Sequence, residues 1–236
     1  MLKETSKEYW QKYWQSADHQ PEVVHEELLR HLLSSVDIKG KKILEVGVGM
    51  GGDSLYLSEF GADVTVLDYS ETALEKVGKS AEAKSLSIKT ILADAKQMPF
   101  PDRSFDIVFH QGFLEHFSDP GEYLAEQCRI LKSGGLLVVD VPQRYTTYTL
   151  KKHYQMKKGQ WFAGWEREYS IAELKKLVTR HGFKVIDTYG WGYYGKLHHL
   201  RYLKLGKWYD YIWQCIEKTP IKLYLNFSVG LIAKKI

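Results

Sequence analysis

Short apolar runs alternate with amphipathic stretches along this chain, and this alternation restricts its fold more than any other feature. Helical spacing of apolar residues predicts helices over 21–36, 53–60, 70–85 and 116–131. Seven segments have the short length and apolar, β-branched character of strands; they are 42–46, 63–67, 87–92, 105–109, 136–141, 183–188 and 227–234. Repeated strand–helix–strand order predicts a doubly wound α/β fold, in which a parallel sheet carries helices on both faces.

Local signals predict where two of the helices begin or end. Pro21 suits the first turn of a helix, where its missing N–H costs nothing. Ser170 and Glu173 have the spacing of a capping box, and Gly182 can end the same helix in the left-handed conformation. We therefore expect a helix between Ser170 and Gly182.

The composition excludes several classes of protein. The 236 residues suit a single domain with a sizeable core, and a net charge of +4 is too small to require a nucleic-acid partner. Cys128 and Cys215 lack the spacing of a zinc site or a disulfide framework. Because no signal peptide follows Met1 and no apolar run reaches the ~20 residues of a membrane span, we expect a cytoplasmic protein.

A glycine-rich loop, EVGVGMGG at 45–52, follows the first predicted strand. Glycine lets the backbone turn sharply and lets a ligand approach without Cβ atoms in the way. In open α/β sheets, ligands bind beyond the carboxyl ends of the strands, which is where this loop lies. An ordinary turn needs only one or two glycines, so the pattern predicts a nucleotide-cofactor site.

Two classes of cofactor fit the loop. Gly47, Gly49 and Gly52 satisfy the dinucleotide fingerprint, with Asp68 near the position of its ribose-binding acid. A dinucleotide, however, brings a pyrophosphate that nearby carboxylates repel, whereas S-adenosylmethionine carries a sulfonium and an ammonium that they attract. Charge therefore favours S-adenosylmethionine. An NAD(P)-dependent oxidoreductase and a non-catalytic cofactor-binding module remain the alternatives.

Acidic residues follow the next two predicted strands. Asp68 can accept hydrogen bonds from two ribose hydroxyls, and Asp94 can accept one from an adenine amino group. Each has a purely structural alternative. Asp68 could cap the helix that begins near Ser70, and Asp94 could be a solvated turn residue.

From about residue 40 to 142, the chain resembles the class I S-adenosylmethionine-dependent methyltransferases, particularly the small-molecule enzymes related to those of quinone and lipid methylation. The segments that match are the loop from Glu45 to Gly51, Asp68, Asp94-Ala95, the 98–100 turn before 105–108, and LKSGG at 131–135. The resemblance implies seven strands, mostly parallel with the last antiparallel, and S-adenosylmethionine as the cofactor. It implies ribose at Asp68 and adenine at Asp94. The predicted cofactor-binding residues are Glu45, Gly47, Gly49, Gly51, Asp68, Tyr69, Asp94, Ala95, His110 and Gln111.

The segment HQGFLEH at 110–116 follows the fourth predicted strand and supplies the candidates for catalysis. His116 is the predicted general base, needed only if the acceptor must lose a proton, and Glu115 could orient it. The alternative is that His116 only packs or caps a helix. His110 and Gln111 are expected at the methionine end of the cofactor. Because Asp140 is the only acid at the end of the fifth strand, we expect no metal.

We divide the single domain into an N-terminal helical lid (1–36), a cofactor-binding core (37–142) and two insertions at the acceptor site (143–169 and 196–218). The lid carries Tyr9, Trp10, Tyr13 and Trp14 at helical spacing, which could also be a stripe buried against the core. The second insertion resembles a basic amphipathic helix that could cover an acceptor, contact an anionic membrane or be an ordinary surface helix.

Aromatic residues of the two insertions could wall the acceptor pocket or pack only among themselves; they are Tyr145, Tyr148, Trp161, Trp165, Tyr193 and Tyr194. We therefore predict methyl transfer to a small acceptor, apolar or aromatic in character.

Overall fold

The computed structural model describes residues 5–16, 22–161, 163–193, 211, 215 and 218–236. Its centre is a seven-stranded sheet in the order β3-β2-β1-β4-β5-β7-β6. The strands are β1 (Lys42–Val46), β2 (Asp63–Asp68), β3 (Ile88–Leu92), β4 (Phe105–Gln111), β5 (Leu131–Pro142), β6 (Phe183–Tyr193) and β7 (Asn226–Lys235). Strands β1 to β5 pair in parallel, and β7 runs antiparallel to β5 and β6. The predicted fold class is confirmed.

Seven α-helices surround the sheet in the described part of the chain. They are α1 (Lys7–Ser16), α2 (Glu26–Ser35), α3 (Gly52–Glu59), α4 (Glu71–Ala83), α5 (Gly121–Ile130), α6 (Thr147–Lys157) and α7 (Ile171–Arg180). Short 3₁₀ turns cover Leu114–His116 and Pro220–Tyr224. None of the helices described is long and apolar enough to cross a membrane.

Two apolar clusters form the core, one on each face of the sheet. Side chains of α2, α3 and α4 pack into one cluster, and those of α5 and α7 pack into the other. Successive residues of a strand point to opposite faces, so Ile43 of β1 enters the first cluster and Leu44 enters the second. Because helices cover both faces, the central strands are apolar on both sides.

The predicted capping box is confirmed. The Ser170 hydroxyl accepts a hydrogen bond from the Glu173 amide, and the Glu173 carboxylate accepts one from the Ser170 amide. Helix α7 begins directly after Ser170, and Gly182 lies just beyond its end at φ +87°. Because these amides at the start of α7 are hydrogen-bonded, the position at which the helix begins between β5 and β6 is fixed.

Strands β5 and β6 extend beyond their predicted bounds, and three predicted helical or loop segments differ from the structure. The helix predicted from residue 21 begins at Glu26, because the amide and ring of His25 are held by Asp53 in a non-helical conformation; Pro21 lies outside the described residues. The helix predicted from residue 116 begins at Gly121, since a residue before a proline is disfavoured in a helix and Pro120 is the cap. Helix α6 lies where the sequence predicted a loop.

Candidate functional site

The loop between β1 and α3 turns through glycines in the left-handed conformation. Gly47 has a φ of +70° and Gly49 a φ of +56°. A Cβ on Gly47 would lie 2.7 Å from the Phe113 ring, and one on Gly49 would lie 3.2 Å from the Trp14 ring. Both conformation and packing therefore require glycine here, and the loop follows the carboxyl end of β1 as predicted.

Gly52, the third glycine of the dinucleotide fingerprint, has a different role. A Cβ on Gly52 would lie only 2.2 Å from the main-chain oxygen of Val23. The residue is small so that the segment before α2 can pass close to the start of α3. Its spacing in the sequence therefore does not count in favour of a dinucleotide.

Three adjoining cavities open at this edge of the sheet. The narrow cleft, about 70 Å³, runs along the loop and the end of β2 past Asp68, Tyr69, Ala95, Phe113 and Phe117. The wide cavity, about 400 Å³, shares His116 with this cleft and is also lined by Glu45, Gln111, Glu115 and Glu166. The outer cavity, about 440 Å³, is lined by residues that include Lys7, Tyr69, Asp94, Ala95 and Tyr123. The structure thus places nearly all of the predicted cofactor residues around three cavities that share lining residues.

Asp68 is buried at the end of β2, next to the glycine loop. Its carboxylate accepts a hydrogen bond from the Ser70 amide at 2.8 Å. Burial raises the pKa of Asp68 to about 6, although the surrounding backbone amides favour the ionised form. The helix cap that the sequence allowed for Asp68 is provided by Ser70, whose hydroxyl accepts from the Ala73 amide. Asp68 is therefore left available to the cleft.

Asp94 lines the outer cavity and already has partners. Its carboxylate accepts a hydrogen bond from Lys7 Nζ of α1 at 2.7 Å and one from the Lys96 amide at 2.9 Å. Burial alone would raise the pKa of Asp94, but these two contacts outweigh it and the pKa is lowered. Asp94 thus stays ionised and ties the N-terminal helix to the cavity.

Two further carboxylates lie beneath the glycine loop. Glu45 is 5% exposed and accepts a hydrogen bond from the Ser54 hydroxyl. Burial and the charges of Asp53 and Asp68 raise its pKa well above the usual range. Asp53 lies in the first turn of α3, where its two oxygens bind the amide and ring of His25 at 2.7 Å each. The position where a dinucleotide would place its pyrophosphate is thus occupied by an acid, whereas a cationic ligand fits these charges.

The two neighbours at the end of β4 face different surroundings. Gln111 lines the wide cavity. His110 is fully buried beside Gln127 of α5, its ring lies 5.3 Å from that of Phe113, and burial lowers its pKa to about 3. It lines none of the three cavities. The structure therefore brings Gln111, but not His110, to the predicted cofactor residues.

His116 lies at the junction of the narrow cleft and the wide cavity. Its Nδ1 is 3.4 Å from the Trp165 carbonyl oxygen, its Nε2 is 4.0 Å from Glu166 Oε1, and its ring is 4.7 Å from that of Trp10. Burial lowers the pKa of His116, so the imidazole is neutral near pH 7. Its neighbours are thus Glu166 and the Trp165 carbonyl. The structure shows no contact in which Glu115 orients it, as the sequence had suggested.

Glu166 is a functional candidate that the sequence analysis did not identify. Its Oε2 accepts from Lys152 Nζ at 2.9 Å, and Glu168 Oε1 accepts from the same ammonium at 2.7 Å. The Lys152 side chain is fully buried between them. Only the folding of α6 brings this lysine to residues 166–168, and no motif in the sequence marks the pair.

Aromatic residues of the first insertion pack against each other and against the C-terminal part of the chain. The Tyr148 ring lies 5.7 Å from Trp161 and 4.5 Å from Phe227, and the exposed Tyr145 ring lies 6.2 Å from Tyr224. None of Tyr145, Tyr148 and Trp161 lines the wide cavity, which contacts Ala163 and Glu166 of this insertion, so the aromatic wall stays a prediction. The Tyr193 side chain, Tyr194 and most of 196–218 lie outside the described residues.

The aromatic face of α1 covers the site. Trp10 and Trp14 line both the narrow cleft and the wide cavity, and Tyr13 lines the latter. Hydrogen bonds from Gln11 to Thr72 and from Ser70 to Gln11 hold α1 against α4, as does one from Lys76 to the Trp14 carbonyl. Nothing in α1 is fully buried, so the helix lies over the cavities and contributes little to the core.

Comparison with known proteins agrees with this geometry. Residues 44–139 match the family model described as a methyltransferase domain. The chain is 36% identical over 104 residues to tocopherol O-methyltransferase of Arabidopsis thaliana, covering 43% of this chain and 30% of that enzyme. It is 28% identical over 166 residues to the phthiotriol/phenolphthiotriol dimycocerosates methyltransferase of Mycobacterium tuberculosis, covering 70% of this chain and 56% of that one. The chain thus spans at most about half the length of these curated relatives.

The fold has close counterparts among solved structures. The magnesium protoporphyrin IX methyltransferase of Synechocystis PCC 6803, determined with bound SAH, superposes with a TM-score of 0.63 at 16% identity over 97% of this chain and 93% of that one. This fold agrees with the matching domain and the curated relatives, so over residues 44–139 the chain is similar to S-adenosylmethionine-dependent methyltransferases.

The pKa of Asp68 gives a test of its place in the site. Protonation removes a hydrogen-bond acceptor, so the affinity for S-adenosylhomocysteine should fall as the pH is lowered through about 6. Titration calorimetry from about pH 8 to about pH 5 measures this dependence. The Asp68→Asn variant should bind at least ~10-fold more weakly near pH 7 and should lose the pH-dependent step near 6. If Asp68→Asn keeps a pH-dependent change in affinity of the same size, Asp68 is not part of the cofactor site.

Proposed function

We propose that this chain transfers the methyl group of S-adenosylmethionine to a small acceptor bound in the wide cavity. The observation that carries the proposal is that the narrow cleft, lined by predicted cofactor residues, shares Trp10, Trp14 and His116 with a cavity of about 400 Å³ that Glu166 also lines. A cofactor cleft that shares lining residues with a second cavity suits a reaction between two bound molecules.

The cofactor residues have separate proposed roles. Asp68 binds the ribose hydroxyls, and Asp94 with Ala95 borders the adenine. Gly47, Gly49 and Gly51 give the backbone its close approach, Tyr69 lines the cleft beside Asp68, and Glu45 and Gln111 lie toward the methionine end. The fit is electrostatic, since the buried Glu45 and Asp53 suit a ligand whose amino-acid end carries an ammonium and whose sulfur is a cation.

When bound, S-adenosylmethionine supplies a methyl carbon that its sulfonium has already activated. The protein's own contribution is then to hold the acceptor in line with that carbon, and positioning of this kind contributes roughly 7–11 kcal/mol to lowering a barrier. Trp10 and Trp14 cover both cavities and exclude water from them. Helix α1 acts as the lid in this proposal.

His116 is the proposed general base where the acceptor must lose a proton. Its buried, neutral imidazole lines both cavities, and the Trp165 carbonyl and Glu166 are close enough to fix the ring. Trp10, Tyr13, Val23 and Ala163 give the wide cavity apolar and aromatic surfaces. These surfaces suit an acceptor with an apolar or ring-bearing body.

The reaction is tested by incubating the purified chain and a cell extract with S-adenosylmethionine that carries an isotopically labelled methyl group. Mass spectrometry should show label in a small molecule, together with an equal amount of S-adenosylhomocysteine. The Asp68→Asn variant is the matched control and should give little label. If no small molecule gains label although the chain binds S-adenosylhomocysteine, the result would instead favour a non-catalytic cofactor-binding module.

His116 is tested separately by the His116→Gln variant. Turnover of the acceptor found above should fall about 100-fold or more, which is the usual loss when a general base is removed, while affinity for S-adenosylhomocysteine changes little. His181→Gln is the control, because His181 is bonded to the Leu177 carbonyl of α7 and lines none of the three cavities. Equal losses of turnover and cofactor affinity in His116→Gln would assign His116 a structural role.

A further inference from the structure

The wide cavity is acidic. The acidic and histidine side chains that line it in the described part of the chain are Glu45, Asp53, Glu115, Glu166, His25 and His116, and no lysine or arginine is among the described lining residues. Acidic groups around one cavity disfavour an anionic acceptor and favour a cationic one. Not all four acids are available to a ligand, so their partners decide what the cavity can bind.

Three of the four carboxylates already have partners. Asp53 is bound to the amide and ring of His25, and Glu166 is bound to Lys152 at 2.9 Å. Glu45 accepts from the Ser54 hydroxyl and lies at the glycine loop, on the side of the cofactor. These three acids are thus accounted for by the fold or by the methionine end of the cofactor.

Glu115 is the carboxylate left over. It is 3% exposed, it lines the wide cavity, and its Oε2 has no hydrogen-bond partner among the described residues. The buried cation Lys152 is within hydrogen-bond distance of Glu166 and Glu168. A buried carboxylate oxygen without a donor is costly, so a ligand that brings a donor and a positive charge stabilises this arrangement.

Aromatic side chains complete the surroundings of such a ligand. Trp10, Tyr13 and Trp14 of α1 line the wide cavity on the lid side, and the Trp10 ring meets His116 of the 3₁₀ turn that also carries Glu115. Aromatic faces attract alkylated ammonium groups, and a carboxylate together with aromatic rings is the usual composition of a site for them.

We infer that the methyl acceptor is a small amine, which enters the wide cavity as a cation and is bound by Glu115 together with Trp10, Tyr13 and Trp14. This inference rests on the proposed function and names its substrate class. For transfer, the ammonium gives its proton to Glu115 or His116, the freed nitrogen lone pair forms the bond to the methyl carbon, and the electron pair of the broken C–S bond stays on sulfur. Burial and the charge of Glu166 raise the pKa of Glu115, which suits it to take up that proton.

Binding of two isosteres tests the inference without requiring turnover. Choline and 3,3-dimethylbutan-1-ol have the same shape and differ in the charge of one central atom. Each is titrated by calorimetry into the chain saturated with S-adenosylhomocysteine. We expect choline to bind at least ~10-fold more tightly, and this preference to fall below ~3-fold in Glu115→Gln. Glu82→Gln, which alters an exposed glutamate of α4, should keep the full preference.

The affinity for S-adenosylhomocysteine separates the two proposals. It should be unchanged in Glu115→Gln, which also shows that this variant folds. Failure of the unaltered chain to bind S-adenosylhomocysteine would contradict the proposed function. The inference that the acceptor is an amine would be overturned if S-adenosylhomocysteine binds normally but the two isosteres bind equally or not at all. It would also be overturned if Glu115→Gln keeps the full preference for choline.

Discussion

The site depends first on how the backbone turns out of β1. Strand β1 lies between β2 and β4, so the chain leaves β1 toward the helices on one face and leaves β4 toward α5 on the other. A crevice opens where the connections diverge in this way. The left-handed turn at Gly47 and Gly49 lets Phe113 from one side and Trp14 from the other close over the same loop. A side chain at either position would push these rings out of the cavity walls.

Charge is the second constraint, and it follows from the first. The turn places Glu45, Asp53 and Asp68 close together in a buried position, where each carboxylate loses hydration. Their mutual repulsion and burial make this part of the structure unfavourable by itself, as the raised pKa values of Glu45 and Asp68 show. A cationic ligand relieves that repulsion, whereas a pyrophosphate increases it. The same charges that weaken the fold locally therefore select the cofactor.

The elements of the sheet could be predicted because each strand is short, apolar and β-branched, and the capping box of α7 could be predicted because its signal is local. Helix α6 could not, since its sequence has no clear apolar stripe and its buried lysine is stabilised by Glu166 and Glu168 from a later segment. That contact exists only after the chain folds back. His110 and Gln111 illustrate a constraint that the sequence already contained. Neighbours on a strand point to opposite faces, so both could not reach the same cavity.

The central claim is that this edge of the sheet binds a sulfonium cofactor and not a dinucleotide. The most direct test is titration calorimetry of the purified chain with S-adenosylmethionine, S-adenosylhomocysteine, NAD and NADP under the same conditions. The account predicts that the first two bind at one site and that neither dinucleotide gives measurable heat. Binding of NAD or NADP, with none of either sulfur compound, would contradict it.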